Sequence, residues 1–399
     1  MLTTKESHHR LEVRLVTQSP SRAVSQSSPD RLIIMSFAGF RSLSNPSTDL
    51  SGTQPSTPRE CSDYIVRLLR AGLSINGTLY NFFGHSNSQL KSRTCLLLAA
   101  TKAEISRTVD AMGDFSKMKT VQKKAKRIGL LFSTAHTTLS VEPKRCEDIV
   151  DIETADYIFT DGCGLIAPRL AQDLARRIAI VFRTVRYTPS VFQIRYRGCK
   201  GVITVDQTMK RGDTVLKVRK SMKKFSGGHD YNFSVVEYSK PYAFGYLNDE
   251  VILLLHLLGI ATEVLLRKQR QHFDFLASAT IDPRVAFCFL MYVNKYELAE
   301  RLLLESLDAI KPSVVVLVNT EYSKLVKDRG NEQRCRILIL KSRLLFGVCD
   351  AWGVLKEGEC QVRVTMEGDG RPVALMETEV IVTRNPCLHP GDLQKFKLV

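Results

Sequence analysis

The spacing of apolar and polar residues divides the chain into strand-rich and helical segments. Between residues 157 and 247 short apolar stretches are interrupted by glycines, and residues 191–196 alternate apolar and polar side chains with the period of a half-buried strand. Residues 202–205 and 215–218 follow the same pattern. Pro168 predicts the start of a single helix among these strands, because proline is tolerated in a first helical turn. The pattern favours a compact barrel over a doubly wound sheet.

The segments on the C-terminal side are predicted to be helical first and extended afterwards. Residues 251–307 have helical apolar spacing, and Pro283 marks a joint between helices because its ring disrupts a helix interior. The apolar run 251–266 contains His256 and Glu263 and is short for a membrane span, so a buried helix is the better interpretation. Strands are then predicted at residues 337–340, 344–348, 362–365 and 373–382.

The N-terminal part is predicted to become ordered near Cys61. The residues before it are rich in Ser, Thr and Pro, and they are expected to be largely disordered because they bury too little apolar surface to offset chain entropy. The apolar patch 32–35 is an exception that could dock locally. After Cys61, Asn76–Gly77 predicts a hairpin turn, since both residues tolerate a positive φ. Strands are expected at 73–75 and 79–83, residues 64–69 fit a strand or a short helix, and the spacing over 109–131 is helical.

The charge balance adds information about partners. The chain contains 57 Lys and Arg against 41 Asp and Glu, which gives a net charge of +16. A field of this sign favours polyanions, nucleic acid first and an anionic membrane surface second, although a basic, well-solvated surface gives the same count. Six cations in one short stretch would either follow phosphates along a helix face or be solvated: Lys117, Lys119, Lys123, Lys124, Lys126 and Arg127.

Cysteines and carboxylates do not indicate a metal site. The ten cysteines are scattered singly without a CxxC pair, so neither a zinc knuckle nor a redox dithiol is suggested. No secretory signal is evident, which favours reduced thiols and a cytoplasmic or nuclear location. Five carboxylates have no spacing typical of a metal site and are interpreted as solvated loop residues: Asp148, Asp151, Glu153, Asp156 and Asp161.

Several segments, in order along the chain, resemble the cellular RNA-dependent RNA polymerases that make double-stranded RNA in gene silencing. The clearest are residues 159–168 (FTDGCGLIAP), 189–202 (PSVFQIRYRGCKGV), 219–225 (RKSMKKF), 246–248 (YLN) and 383–392 (TRNPCLHPGD). Residues 80–90 and 126–132 also fit, and the resemblance covers roughly residues 61–399. One departure is Lys220, which stands where a proline is usual.

The resemblance implies an α+β fold with a double-psi β-barrel polymerase core. This core would consist of a first barrel, a helical connector and an incomplete second barrel, preceded by an N-terminal α/β region and a disordered tail. The expected boundaries are 1–60 for the tail, 61–150 for the N-terminal region, 151–248 for the first barrel, 249–330 for the connector and 331–399 for the start of the second barrel.

The resemblance also implies template-directed nucleotidyl transfer on RNA. The expected partners are an RNA template, nucleoside triphosphates and other silencing proteins, with no membrane. The family binds Mg²⁺ through an Asp-x-Asp-Gly-Asp loop that is expected after residue 392, so this sequence is interpreted as a fragment without metal ligands that is inactive by itself. The alternative is a non-catalytic RNA-binding or interaction module derived from the family.

The cations of the predicted first barrel are the candidate site residues. In the family the first barrel presents basic residues to the nucleotide and the template, where preplaced cations stabilise charge on the transferred phosphoryl group. By motif position, Lys200 and Lys224 are predicted to support catalysis. Nucleotide and RNA binding is predicted for Arg195, Lys200, Arg219, Lys223 and Lys224.

Overall fold

The computed structural model describes residues 2–3, 10–11, 14, 16–37, 58–210, 212–227, 231–326, 335–365, 372–376 and 378–399. Helices and strands alternate along these residues in an α+β arrangement. The helices are α1 (Arg22–Ser25), α2 (Pro58–Ala71), α3 (Asn87–Lys91), α4 (Lys102–Met112), α5 (Val121–Ile128), α6 (Pro168–Arg177), α7 (Asp249–Leu257), α8 (Thr262–Ser278), α9 (Pro283–Tyr292), α10 (Tyr296–Leu304) and α11 (Leu307–Val326).

The strands are mostly short. In chain order they are β1 (Leu2–Thr3), β2 (Arg10–Leu11), β3 (Leu32–Ser36), β4 (Leu73–Ile75), β5 (Thr78–Gly84), β6 (Thr94–Leu98), β7 (Gly113–Asp114), β8 (His136–Ser140), β9 (Cys146–Ile149), β10 (Cys163–Ile166), β11 (Val181–Phe182), β12 (Val185–Arg186), β13 (Val191–Tyr196), β14 (Cys199–Val205), β15 (Leu216–Arg219), β16 (Ser226–Gly227), β17 (Asn232–Tyr238), β18 (Gly245–Leu247), β19 (Ile337–Ile339), β20 (Glu359–Cys360), β21 (Val362–Thr365), β22 (Pro372–Leu375), β23 (Glu379–Thr383) and β24 (Leu393–Leu398).

The chain forms two compact units. Unit 1 comprises residues 1–168 and 192–237, and unit 2 comprises residues 169–191 and 238–399. The predicted boundary at residue 151 lies inside unit 1, because β8 and β9, which precede it, belong to the same sheet as β10. The other predicted boundaries stay predictions.

A seven-stranded sheet is the main feature of unit 1. Its strand order is β8-β17-β13-β14-β10-β15-β9. The predicted strands at 191–196, 202–205 and 215–218 are confirmed as parts of β13, β14 and β15. In β13 the apolar side chains of Phe192, Ile194 and Tyr196 are buried, while the polar ones between them are half-buried. The period-two pattern therefore reflects one face of the strand packed into the core.

A smaller sheet of unit 1 contains the predicted hairpin. Its strand order is β3-β6-β5-β4, and β4 pairs with β5 around Asn76–Gly77. These two residues have φ angles of 50° and 79°, as the turn prediction requires. Residues 64–69 lie in helix α2. The helix predicted over 109–131 is interrupted, because α4 ends at Met112 and α5 begins at Val121.

The prediction of a disordered tail is wrong for residues 16–37. Leu32–Ser36 forms the strand β3, which pairs antiparallel with β6 along all five residues. Ala23 is fully buried in the core of unit 1, and its amide donates to the carbonyl of Leu131 at 3.0 Å. Because residues 32–35 are apolar and pair with β6, this segment is ordered despite the polar composition around it. Residues 38–57 lie outside the described residues.

Unit 2 contains the predicted helical segment. Helices α7 to α11 cover it, and α9 begins at Pro283 with the Asp282 carboxylate accepting from two backbone amides of the first turn. No single helix among the described residues is long and apolar enough to span a membrane. Helices α8 and α9 together have the length and apolar composition of a span, but the angle between them is 113°. Both helices contribute buried side chains to the core of unit 2.

The C-terminal strands match the sequence prediction in part. Residues 337–339 form β19, which pairs with β18, and Val362–Thr365 forms β21. The strand predicted at 344–348 is wrong, because these residues have no regular structure. The predicted strand 373–382 is divided between β22, which pairs with β21, and β23, which pairs with β24.

A buried histidine in unit 2 predicts a pH-dependent stability. His272 is 1% exposed, and its Nδ1 accepts a hydrogen bond from the amide of Leu338 at 3.3 Å, which requires the neutral ring. Burial lowers the pKa of His272 below 6.5, and this effect outweighs the opposing effects of a hydrogen bond with the Arg336 backbone and of the Glu321 charge. Below pH 6.5 the unfolded chain therefore binds a proton that the folded chain does not, and stability falls by about 1.4 kcal/mol per unit of pKa depression.

Urea unfolding at pH 7.5 and pH 5.5 tests this prediction. The wild-type chain should lose stability at the lower pH, and His272→Asn, which offers an uncharged acceptor to the same amide, should lose less. An equal loss in both proteins would assign the titration to other groups.

Candidate functional site

The sheet of unit 1 brings three sequence motifs to one end. Strand β10 is parallel to β14, with Cys163 opposite Val202, and antiparallel to β15, with Leu165 opposite Lys217. The start of β10, the start of β14 and the end of β15 therefore meet at the same end of the sheet. Topology alone thus places Asp161–Gly162, Lys200 and the segment after Arg219 beside one another.

Lys200 lies among other cations. It occupies the second position of β14 and is half-buried. Burial lowers the pKa of Lys200, and the charges of Arg195, Lys224 and Arg127 lower it further. These four side chains are called the cationic cluster below, and the other three lie close enough to Lys200 for their charges to act on it. Repulsion of this kind costs stability unless a polyanion offsets it.

Lys224 is fixed beside Lys200 by the chain around it. Its backbone amide donates to the carbonyl of Gly198 at 2.9 Å, and its Nζ donates to the carbonyl of Ser221 at 2.5 Å. Asp161 lies 3.9 Å from the same Nζ, but this carboxylate is 70% exposed, so the ion pair is weak. Lys224 therefore keeps a defined position while retaining capacity to bind a phosphate.

Arg195 is the third predicted site residue in the cationic cluster. One terminal nitrogen of its guanidinium donates to the carbonyl of Ile194 at 2.9 Å, and its buried Nε has no hydrogen-bond partner among the described residues. Burial lowers the pKa of Arg195 to about 10, so the side chain remains charged at neutral pH. A buried donor without a partner is costly, which favours an external acceptor at this position.

Arg219 and Lys223 are placed differently from the cationic cluster. Arg219 is 6% exposed, and it donates through Nε to the carbonyl of Val150 at 3.0 Å and through Nη1 to the carbonyl of Cys163 at 2.7 Å. Lys223 is 53% exposed and lies 4.0 Å from the carboxylate of Asp148. Arg219 thus connects backbone segments, and the predicted nucleotide contacts of both residues stay predictions.

A carboxylate holds the loop that precedes Lys224. Asp151 accepts hydrogen bonds from the hydroxyl of Ser221 at 2.6 Å, from the amide of Ser221 at 3.0 Å and from the hydroxyl of Thr160 at 3.0 Å. Burial raises the pKa of Asp151, but these hydrogen bonds outweigh it and keep the pKa below its ordinary value. Lys220 begins the short helical turn of this loop, a position that accepts either lysine or proline.

Glycines allow the three motifs to approach closely. A methyl group on Gly201 would lie 2.2 Å from the carbonyl oxygen of Gly162, and one on Gly198 would lie 2.1 Å from the carbonyl oxygen of Phe225. Gly198 also has a φ of 81°, which favours glycine. The glycines on both sides of Lys200 are therefore required by the backbone contacts that position this lysine.

Arg127 is a member of the cationic cluster that motif comparison did not single out. It lies in the last turn of α5, and its buried Nε has no hydrogen-bond partner among the described residues. The sequence placed it in a basic stretch that could follow phosphates or be solvated. Most cations of α5 are exposed, whereas Arg127 is half-buried, and this difference depends on the packing of the helix.

The carboxylates of this region do not fit a metal site. The oxygens of Asp151 accept from protein donors, and the carboxylates of Asp148 and Asp161 face Lys223 and Lys224. Within the described ranges, no group of three or more His, Cys, Asp or Glu side chains could hold a metal ion. Magnesium requires several converging oxygen ligands, so the site offers cations and backbone groups for chemistry with anions.

Comparisons with known proteins connect this site to a family. The sequence model of a family described as RNA dependent RNA polymerase matches residues 20–399. The chain is 32% identical over 337 residues to the rice (Oryza sativa subsp. japonica) protein named "Probable RNA-dependent RNA polymerase 1", covering 83% of this chain and 44% of that protein. It is 33% identical over 355 residues to RNA-dependent RNA polymerase 2 of Arabidopsis thaliana, covering 83% and 30% respectively.

A solved structure supports the fold. The structure of the RNA dependent RNA polymerase QDE-1 from Thielavia terrestris matches with a TM-score of 0.66 at 19% identity, covering 95% of this chain and 46% of that protein. The chain therefore spans less than half the length of each of these relatives.

Proposed function

We propose, since this chain belongs to the RNA-dependent RNA polymerase family, that it supplies the cationic side of a site for template-directed nucleotidyl transfer on RNA. The observation that carries the proposal is that Arg195, Lys200 and Lys224 lie at one end of the sheet of unit 1, where their charges and that of Arg127 act on Lys200. Four cations, three of which repel the charge of Lys200, are suited to a ligand with several negative charges.

The cations act by binding phosphates in a defined geometry. Lys200 and Lys224 are compact point charges that can contact non-bridging phosphate oxygens, and the guanidinium of Arg195 can contact two oxygens at once. Because Lys224 and Arg195 are held by hydrogen bonds to backbone carbonyls before the ligand binds, they stabilise negative charge that develops on the transferred phosphoryl group without reorganisation. In a whole polymerase of this kind a bound Mg²⁺ would supply activation of the RNA 3′-hydroxyl and stabilisation of the departing pyrophosphate, and the described residues of this chain contain no cluster of side chains that would hold it.

The seven-stranded sheet is proposed to be the first double-psi β-barrel. Its support is a mixture of pairings that a simple antiparallel barrel would not contain: β10 with β14 and β15 with β9 are parallel, whereas β10 with β15 and β17 with β8 are antiparallel. Helices α7 to α11 would form the connector, and β19 to β24 would belong to the second barrel.

The proposed partners are an RNA template, nucleoside triphosphates and other silencing proteins. Binding to a membrane is not proposed. A cytoplasmic or nuclear location is proposed because the nine cysteines whose side chains the structure describes are free thiols, as expected in a reducing compartment. The alternative function is an RNA-binding module without catalysis, which would use the same cations.

Salt dependence of RNA binding tests the proposal. If the cationic cluster contacts phosphates, affinity for single-stranded RNA should fall with a slope of about −0.7 in log K against log salt for each phosphate contact. Contacts by the four cations should therefore give a slope steeper than about −2. Filter binding of the 399-residue chain at several KCl concentrations measures it. An affinity that hardly changes with salt would contradict the proposal.

A further inference from the structure

A second arginine-rich feature of unit 1 shares Arg195 with the cationic cluster. A cavity of about 100 Å³ is lined by Arg22, Arg195 and Arg197 together with neutral polar and apolar residues. Among the described residues that line it, none is acidic. The cavity, called the arginine pocket below, does not include Lys200 or Lys224 among its lining residues.

Two buried nitrogen atoms of the arginine pocket have no acceptor among the described residues. The Nε atoms of Arg195 and Arg197 are buried without a hydrogen-bond partner within the described part of the chain. The guanidinium of Arg197 also lies 5.7 Å from the centroid of the Tyr231 ring, so this aromatic ring holds the arginine in place. A buried guanidinium donor that bonds to no acceptor carries a substantial desolvation cost, and an anion would remove it.

The volume of the arginine pocket and the chemistry of its lining residues restrict which ligand it can bind. The cavity is larger than one water needs, but it is too small for a nucleoside. Ser133, Asn232 and Ser234 line the same cavity and are neutral polar residues. We infer that the arginine pocket binds a compact phosphate-type oxyanion, either a free anion or the terminal phosphate of a nucleotide whose nucleoside stays outside.

The position of the arginine pocket suggests what the anion would do. Arg197 and Gly198 form the turn between β13 and β14, and both line the pocket. Arg197 has a φ of 44°, a conformation that a non-glycine residue rarely adopts without support. An anion bound to Arg195 and Arg197 would stabilise this turn, and the turn carries Arg195 and Lys200 on its two strands.

Phosphate titration of the 399-residue chain tests the inference. Isothermal titration calorimetry with inorganic phosphate at constant ionic strength should show saturable binding. Arg197→Gln should weaken it about tenfold or more, since a charge-assisted hydrogen bond contributes about 1.5–3 kcal/mol. Arg107→Gln, which removes the same charge from an exposed position of α4, should bind phosphate as the wild type does. Circular dichroism checks folding, and Arg22→Gln replaces Arg197→Gln if the latter does not fold.

Two further measurements distinguish a free anion from a nucleotide and the arginine pocket from the cationic cluster. If adenosine 5′-monophosphate binds more tightly than inorganic phosphate and Arg197→Gln loses this binding, the occupant is a nucleotide. If the two ligands bind with equal affinity, the pocket recognises the anion alone. In Lys224→Ala, which weakens the cationic cluster, a saturable phosphate site that is sensitive to Arg197→Gln should remain, so failure of the proposed RNA site can be told apart from failure of this inference. Absence of phosphate binding, or binding lost in Lys224→Ala and retained in Arg197→Gln, would overturn the inference.

Discussion

Replacing both Lys200 and Lys224 by alanine is expected to weaken binding of single-stranded RNA by about 100-fold or more. A charge-assisted contact contributes about 1.5–3 kcal/mol, and each 1.4 kcal/mol corresponds to a tenfold change in affinity. The two substitutions should not be additive, because the charge of Lys224 lowers the pKa of Lys200 and its removal relieves that repulsion. Each single variant should therefore lose less than about tenfold, so that the double variant loses more than the two single losses combined.

A matched double variant separates site contacts from net charge. Lys91 is the last residue of α3, Lys295 immediately precedes α10, and both side chains are exposed. Replacing both by alanine removes the same amount of charge from residues that do not belong to the cationic cluster. Filter binding at one fixed salt concentration compares the two double variants. If both weaken RNA binding equally, the cationic cluster has no special role and the proposed site is wrong.

Gly201→Ala is expected to destabilise unit 1 by about 1–3 kcal/mol and to lower RNA affinity as well. The added methyl group would lie 2.2 Å from the carbonyl oxygen of Gly162, which accepts the amide of Val202 at 2.8 Å. The loop before β10 would have to move away from β14, and the end of β14 that carries Lys200 would move with it. Gly201 does not have a positive φ, so the effect is steric.

Urea unfolding and RNA binding measure the two effects together. Gly347→Ala is the control, because a methyl group there meets no atom within 4 Å and the backbone is not in the left-handed region. That substitution should change stability by no more than about 0.5 kcal/mol. Wild-type stability and affinity in Gly201→Ala would show that the close approach of β14 to Gly162 does not position Lys200.

Local sequence determined the elements whose signals lie within a few residues. Asn76–Gly77 fixes the hairpin of β4 and β5, because both positions must adopt a positive φ and these residues do so at low cost. The alternation in β13 fixes which side chains enter the core, and Pro283 fixes the start of α9. The motif order was sufficient to indicate the family, because each segment carries side chains at fixed spacings.

Only the tertiary structure decided which cations belong together. Arg219 and Lys200 both belong to strands and to motifs of the predicted site, yet Arg219 donates to backbone carbonyls while Lys200 lies beside Arg195, Lys224 and Arg127. The difference arises because β10 separates β14 from β15 and pairs with each in a different direction. Direction and register of pairing are long-range properties, and Leu32–Ser36 illustrates the same point, since these five residues pair with β6, which lies about sixty residues away in the chain.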